Sequence, residues 1–416
     1  MNFFRLLMIG LAATMASAAC SSKGPPAATP GNPNPIPAPT TNVAAVLVNA
    51  GPAGVNAVNT LYTSVTLCVP GSTTSCQTID NIEIDTQSSG LRILAPVLTI
   101  TLPLILDSNN NANTFAECAQ FADSVSWGPL ARADLTIAGE SAPSLTVQLI
   151  GDANFATIPP ACAGAGNEED TVATFGANGI LGVGTPAQDC GASCAGSTEF
   201  GFYYTCTSAG NCVGTLIDIA DQMQNPATLF ATDNNGLIIE LPNVSAAGAE
   251  SVTGAIVFGI DTASNNASGK ATVLAVETGT SYLSAQFDAQ NYAASFLDTG
   301  SNGLFFNDSS LTQCTGSDQS FYCPANTENL SATLIAYTAS GTGGTQATVN
   351  FSIANADTLL SDDQTGTAFV NLGGIFDGTG TADTFDFGLP FFYGRSVYEV
   401  FEGKSSSVGT GPYFAF

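Results

Sequence analysis

Ile82-Glu83-Ile84-Asp85-Thr86-Gln87-Ser88-Ser89-Gly90-Leu91 returns later in the chain as Ser295-Phe296-Leu297-Asp298-Thr299-Gly300-Ser301-Asn302-Gly303-Leu304. In each copy an aspartate closes an apolar, strand-like run and opens a turn rich in small hydroxyl residues. A loop that occurs twice with the same chemistry implies two related lobes, each lending one carboxylate to a shared site. Carboxyls held about 3 Å apart cannot both ionise. One pKa rises, the other falls, and a single shared proton lets the pair act as acid and base together.

Length and composition agree with a two-lobed β protein. The chain has 416 residues, enough for two substantial cores, yet only 10% of them are charged. Short β-type segments such as Ser64-Val65-Thr66-Leu67-Cys68 and Ala133-Asp134-Leu135-Thr136-Ile137 alternate with turn signals, which predicts an all-β fold. One stretch departs from this pattern. Leu216, Ile219, Ala220 and Met223 recur at helical spacing before Asn225-Pro226, predicting a helix there. Asp233-Asn234-Asn235-Gly236 between apolar runs predicts a hairpin turn.

Seven Lys and Arg face 34 Asp and Glu, and there is no His, giving a net charge of −27. Nucleic acid is therefore excluded as an expected partner. With so few basic groups, the chain gains little positive charge when its carboxylates are protonated, which limits self-repulsion in acid.

The N-terminus reads as an export signal. Arg5 precedes an apolar stretch from Leu6 to Ala16 that is too short to span a membrane, followed by Ser17-Ala18-Ala19-Cys20. Residues 1–19 are read as a signal peptide and Cys20 as a lipidated first residue in a bacterial envelope. Ordinary cleavage after Ala18 is the alternative. Residues 20–43, Pro-rich as far as Pro39, read as a tether between anchor and body. The body divides into an N-terminal β lobe over 44–250 and a C-terminal β lobe over 251–416.

Cysteine arithmetic supports the anchor. There are 11 Cys, an odd count for an exported protein, and removing Cys20 leaves enough for five disulfides. Proximity in sequence pairs Cys68 with Cys76, Cys118 with Cys162, and Cys314 with Cys323. Cys190, Cys194, Cys206 and Cys212 form two more bridges, nested or sequential. With no His and an oxidising compartment, no metal site and no cofactor is expected.

On these residues the chain resembles the pepsin-like aspartic peptidases, in a bacterial lipoprotein branch. In that family each aspartate loop is answered by two hydrophobic residues and a glycine that cross behind it. Asn178-Gly179-Ile180-Leu181-Gly182-Val183-Gly184 is similar to that element in the first lobe, and Phe387-Gly388-Leu389-Pro390-Phe391-Phe392 in the second. Gly254-Ala255-Ile256-Val257-Phe258-Gly259-Ile260-Asp261 resembles the strand entering the second half, and Tyr398-Glu399-Val400-Phe401-Glu402 the family's C-terminal stretch.

The resemblance implies a bilobal fold with a cleft, Asp85 and Asp298 as the catalytic dyad around one water, and Thr86 and Thr299 bonded across the lobe interface. Ser88 and Ser301 would each donate to the outer oxygen of their aspartate, and Gly300 keeps the family's glycine. Three positions depart from the pattern. Gln87 replaces that glycine in the first loop and would be strained if the backbone there is left-handed. Trp127, in Ser124-Val125-Ser126-Trp127-Gly128, stands where the family's flap tyrosine would, unless it is a core or rim anchor. Arg92 stands where a partner tryptophan would and is free to stack on Trp127, bind a carboxylate or lie on the surface.

Two functions follow. One is a surface-tethered, monomeric endopeptidase that hydrolyses an extended peptide or unfolded protein at acid pH and meets the membrane only through its lipid. The other is a binding or structural lipoprotein that keeps the scaffold without the activity.

Overall fold

A computed structural model describes residues 36–416 apart from 109, 123, 208–209, 317–318, 342, 362–364 and 377–382. The signal peptide, Cys20 and most of the tether lie outside the described residues. The protein is all-β, with 42% strand, 9% helix, and barrel and half-barrel sheets.

Strand formation follows the alternation in the sequence. Along Leu61–Cys68, Val65 and Leu67 are buried while Ser64 is exposed. On the outer face Thr66 meets Thr78 of the antiparallel strand Cys76–Asp85, their hydroxyls 2.8 Å apart. Among the described residues seventeen strands form one hydrogen-bonded network and seven form a second.

One sheet ties the two ends of the chain together. Val43–Val48 pairs antiparallel with Val252–Phe258, which pairs with Gly236–Glu240, which pairs with Ser396–Val400, which pairs with Tyr413–Ala415. Strands from both sides of residue 250 thus share one layer. Its inner face, with Ile239, Ile256, Val397, Phe401 and Phe414, joins the main core.

The five disulfides stand as Cys68–Cys76, Cys118–Cys162, Cys190–Cys194, Cys206–Cys212 and Cys314–Cys323, so the ambiguous four are sequential. They fit an oxidising compartment outside the cytoplasm. Among the described residues no helix is long and apolar enough to cross a membrane.

Two local expectations are corrected. The segment from Leu216 to Met223 is not a helix: it makes a single turn in which the Asp221 and Gln222 amides donate to the Asp218 carbonyl. Leu216 and Ile219 are exposed, so the apolar stripe has nothing to cover. The backbone is held by tertiary bonds instead, with Ile217 N–H on the Cys194 carbonyl, Met223 N–H on the Tyr203 hydroxyl, and the Gln222 amide on the Gly191 and Ile217 carbonyls. At 233–236 the chain does turn, with Asp233 at φ +50°, but no hairpin forms. The residues before it, Pro226–Leu229, make a 3-10 turn opened by Pro226, so only Gly236–Glu240 leaves as a strand.

Asn59 joins distant parts of the chain. Buried and at φ +51°, a conformation asparagine tolerates, it donates from Nδ2 to the Asn302 and Phe369 carbonyls at 2.8 and 2.9 Å. Its Oδ1 accepts from Phe369 N–H and the Tyr393 hydroxyl at 2.7 and 2.9 Å. Asn59→Ala would leave several of these buried groups unpaired, at about 1–3 kcal/mol each. Urea unfolding should therefore show a loss of about 3 kcal/mol or more; a loss under about 1 kcal/mol would mean that the neighbours re-pair without it.

Candidate functional site

Asp85 ends the strand Cys76–Asp85, and the chain returns as Ser89–Leu94. Gly179–Val183 lies between these two, parallel to the first and antiparallel to the second, with Gly182 opposite both Asp85 and Gly90. Glycine is required there, because a Cβ on Gly182 would sit 2.6 Å from Ser88 Oγ and 2.8 Å from the Ser88 carbonyl carbon. The second loop is built likewise. Phe385–Phe387 runs parallel to Gln290–Leu297 and antiparallel to Leu304–Phe306, and a Cβ on Gly388 would meet the Gly303 carbonyl oxygen at 2.2 Å. The element behind the second loop therefore starts two residues before the stretch read from sequence, and Leu389–Phe391 is already a 3-10 turn.

The two loops exchange hydrogen bonds. Thr299 N–H donates to Thr86 Oγ1 at 3.1 Å, Thr299 Oγ1 donates to the Ile84 carbonyl at 2.6 Å, and Thr86 Oγ1 reaches the Leu297 carbonyl at 3.4 Å. Both threonines are fully buried. The exchange brings the carboxyls together: Asp85 Oδ1 and Asp298 Oδ1 each lie 3.2 Å from the point where a Cβ on Gly300 would stand. A Cβ at 300 would stand tight against the pair. Both aspartates are almost buried, at 6% and 8% exposure.

The serines differ from each other. Ser301 Oγ donates to Asp298 Oδ2 at 2.8 Å, and Gly300 N–H to Asp298 Oδ1 at 2.8 Å. Ser88 does not serve Asp85 through its hydroxyl, contrary to expectation. Its Oγ is turned toward Gly182 and has no hydrogen-bond partner, while the Gln87 and Ser88 amides hold Asp85 Oδ1 at 2.7 and 3.1 Å.

The other three departures also resolve. Gln87 is not strained: neither it nor Gly300 has a positive φ, and the Gln87 amide crosses to the Leu297 carbonyl at 3.2 Å, adding a tie between the loops. Trp127 is not a flap residue over the pair. It is 1% exposed, packed with Cys118, Cys162 and Tyr204, and its indole N–H donates to the Phe155 carbonyl at 2.8 Å. Its strand, Ser124–Ile137, pairs with Asn110–Gln120 so that Trp127 faces Cys118 beside the disulfide, which commits the ring to that small core.

Arg92 binds a carboxylate. Its Nη2 and Nε reach Glu117 Oε1 and Oε2 at 2.6 and 3.2 Å, and both side chains are buried. Burial opposes the Arg92 charge, but Glu117 outweighs it and keeps the guanidinium protonated.

Four further acids belong to the site region and were not singled out from sequence. Glu117 and Asp189 close a cavity of about 140 Å³ that begins at Gln87 and Ser88. Asp386 and Glu399 lie behind the loops, 3% and 0% exposed, with Asp386 Oδ1 and both Glu399 oxygens lacking a hydrogen-bond partner. Their signal was visible, since each interrupts an apolar strand, in Phe385-Asp386-Phe387 and in Tyr398-Glu399-Val400. Burial, then the charges of Asp85 and Asp386, holds the Asp298 pKa well above the usual carboxylate range. Burial likewise raises Asp386, with Ser301 opposing, and raises Glu399.

Among the described residues the one grouping with metal-ligand spacing is Cys314, Cys323 and Asp357, and its cysteines are joined as a disulfide. It offers no thiolate pair.

The site is thus that of an all-β protein in which two Asp-Thr loops, exchanged through their threonines, hold two nearly buried carboxyls against each other. The chain belongs to the family described as protein of unknown function DUF3443, whose model matches residues 38–416. No curated protein matches the chain.

Glu399 gives this site region a definite pH signature. An acid whose pKa is raised in the folded state contributes fully below its unfolded value near 4.3 and progressively less as pH rises toward the folded value. The loss is at most about 1.4 kcal/mol per pH unit for one group. Glu399→Gln should therefore leave stability at pH 4 little changed, raise it at pH 7, and flatten the fall between them, as read by thermal melts at each pH. An unchanged slope would mean that Glu399 is not the titrating group.

Proposed function

We propose that this protein is an aspartic-type endopeptidase of pepsin-like, bilobal architecture, exported to the bacterial cell envelope and tethered there through Cys20. The observation that carries this reading is the apposition of Asp85 and Asp298 beneath a threonine exchange, with Gly300 leaving the space between them open.

In this reading a water held by both carboxyls is the nucleophile. Asp298, kept protonated by burial and by Asp85, donates to the peptide carbonyl as charge develops on its oxygen. Asp85 accepts the proton of the attacking water. Collapse of the tetrahedral species returns a proton to the leaving amine. The Gln87 and Ser88 amides and the Ser301 hydroxyl keep each carboxyl in one orientation throughout. The substrate is an extended peptide or unfolded chain, because a cleft that must admit a backbone carbonyl to the pair has to accept the flanking residues at full length.

The second reading, a binding scaffold, is favoured by the buried Arg92–Glu117 ion pair. Arg92 stands where the resemblance would place a tryptophan, and its pairing with Glu117 puts a polar group there.

Cleavage of denatured protein should peak in acid and fall as pH rises and Asp298 loses its proton. Asp298→Asn should lower kcat on the order of 10²–10⁴-fold with little change in the melting curve. Gln87→Gly should change the rate only modestly, since Gln87 strains nothing. A wild-type protein inert on several unfolded substrates from about pH 2 to 7, where carboxyl pairs titrate, would remove the peptidase reading and leave the scaffold.

A further inference from the structure

The cavity of about 140 Å³ next to the first aspartate loop is lined by Gln87 and Ser88 of that loop and by Arg92, Glu117 and Asp189. Arg92 is the one cation there, and it is spent. Its Nε and Nη2 go to Glu117, and its Nη1 donates to the Ser89 carbonyl at 3.2 Å. Asp189 Oδ2 lies 3.9 Å from Nη2, beyond hydrogen-bond range. The Asp189 oxygens are met instead by the Tyr203 hydroxyl, 2.7 Å from each.

Two carboxyls therefore share one positive charge. The other described arginines are engaged elsewhere, Arg132 with Asp221 and Arg395 with the Phe391 carbonyl. Asp189, with 11% of its side chain exposed, has only the shared Arg92 as a cation. The walls supply oxygen acceptors that a cation would need, on Gln120, Gln188 and Thr280, while the Phe121 ring already lies under the Arg92 guanidinium.

We propose that this cavity is a subsite for one basic side chain, lysine or arginine, of an extended peptide, with its charged end paired to Asp189. The inference rests on the cleft reading for the course of the peptide, and on Asp189 for its chemistry. In the free protein a proton stands in for the missing cation: burial, then the charge of Glu117, pushes Asp189 up to about 8, against Arg92 and Tyr203. The groups that face it are Arg92, Glu117 and Tyr203. Arrival of a basic side chain below that pH displaces the proton to solvent, so binding and proton release are coupled.

The test uses full-length mature protein carrying Asp298→Asn, so that peptides bind without being cut. Calorimetry compares peptides of one sequence with lysine, norleucine, glutamine or glutamate placed at each position in turn. At one position lysine should bind about tenfold or more tightly than norleucine. That binding should release about one proton near pH 6, read from the heat in two buffers of different ionisation enthalpy. Adding Asp189→Asn should bring the lysine-to-norleucine ratio close to one and end the proton release. Should Asp189→Asn not fold, the ratio and the proton count in its absence decide. Equal binding of lysine and norleucine, or a preference that survives Asp189→Asn, would overturn the assignment. Wild type that cleaves unfolded proteins without regard to basic residues would refute the subsite and keep the peptidase. Wild type that cleaves nothing yet binds lysine peptides with proton release would do the reverse.

Discussion

Thr86 and Thr299 carry the constraint on which the rest of the site depends. Each sits fully buried one residue past an aspartate, and their exchange of hydrogen bonds with Ile84, Leu297 and each other stitches together two loops from opposite ends of the chain. Without that stitching, two nearly buried carboxyls would repel each other and relax apart. With it, burial and then the charge of Asp85 hold the Asp298 pKa up. Buried charges of like sign persist only where surrounding structure overdetermines their positions, and here several backbone and hydroxyl donors do so.

The asymmetry between the loops follows from the same geometry. A Cβ at Gly300 would stand tight against both Asp85 and Asp298, whereas at Gln87 a side chain has an outlet along the Leu297 carbonyl. One glycine is enough to let two carboxyls approach, so its counterpart was free to become a tie and to wall the adjoining cavity. The two loops answer the same demand with different chemistry, and the first does so with a side chain that reaches toward the cavity closed by Arg92.

How much of this was legible depends on whether the deciding interaction is local. The duplicated aspartate loop and the crossing glycine strand at 179–183 could be read because each is a short run whose residues carry its chemistry within the run itself. Three disulfides could be read from proximity in sequence, whereas that Cys190 joins Cys194 and Cys206 joins Cys212 had to come from the fold. The helical spacing at 216–223 misled, because partners far along the chain, the Cys194 carbonyl and the Tyr203 hydroxyl, take the backbone groups a helix would have used. For Trp127 the core-anchor reading held and the flap reading did not, since its place beside Cys118 is set by strand register and a disulfide rather than by its distance from Asp85. That Arg92 would choose Glu117 could not be read at all. Both stand on strands whose neighbours are apolar, and only the fold brings them to one cavity.

The charge economy of the chain bears on all of these buried acids at once. With 7 cations against 34 carboxyls, most acids cannot have a basic partner, and on the surface water serves in its place. In the interior it cannot. Arg395, buried against Phe391 and bonded to a backbone carbonyl, contributes nothing to the acids and is itself pushed down to about 10 by burial. What remains to neutralise Asp298, Asp386, Glu399 and Asp189 is the proton, which explains why burial raises all four. A protein that balances its interior with protons rather than with lysine or arginine is most stable where protons are plentiful. The carboxyl pair at its centre would work under the same condition, because it too needs one proton between two acids. The sparse basic content and the paired aspartates are therefore two expressions of a single constraint, and both point to an acidic surrounding as the one in which this fold holds its shape.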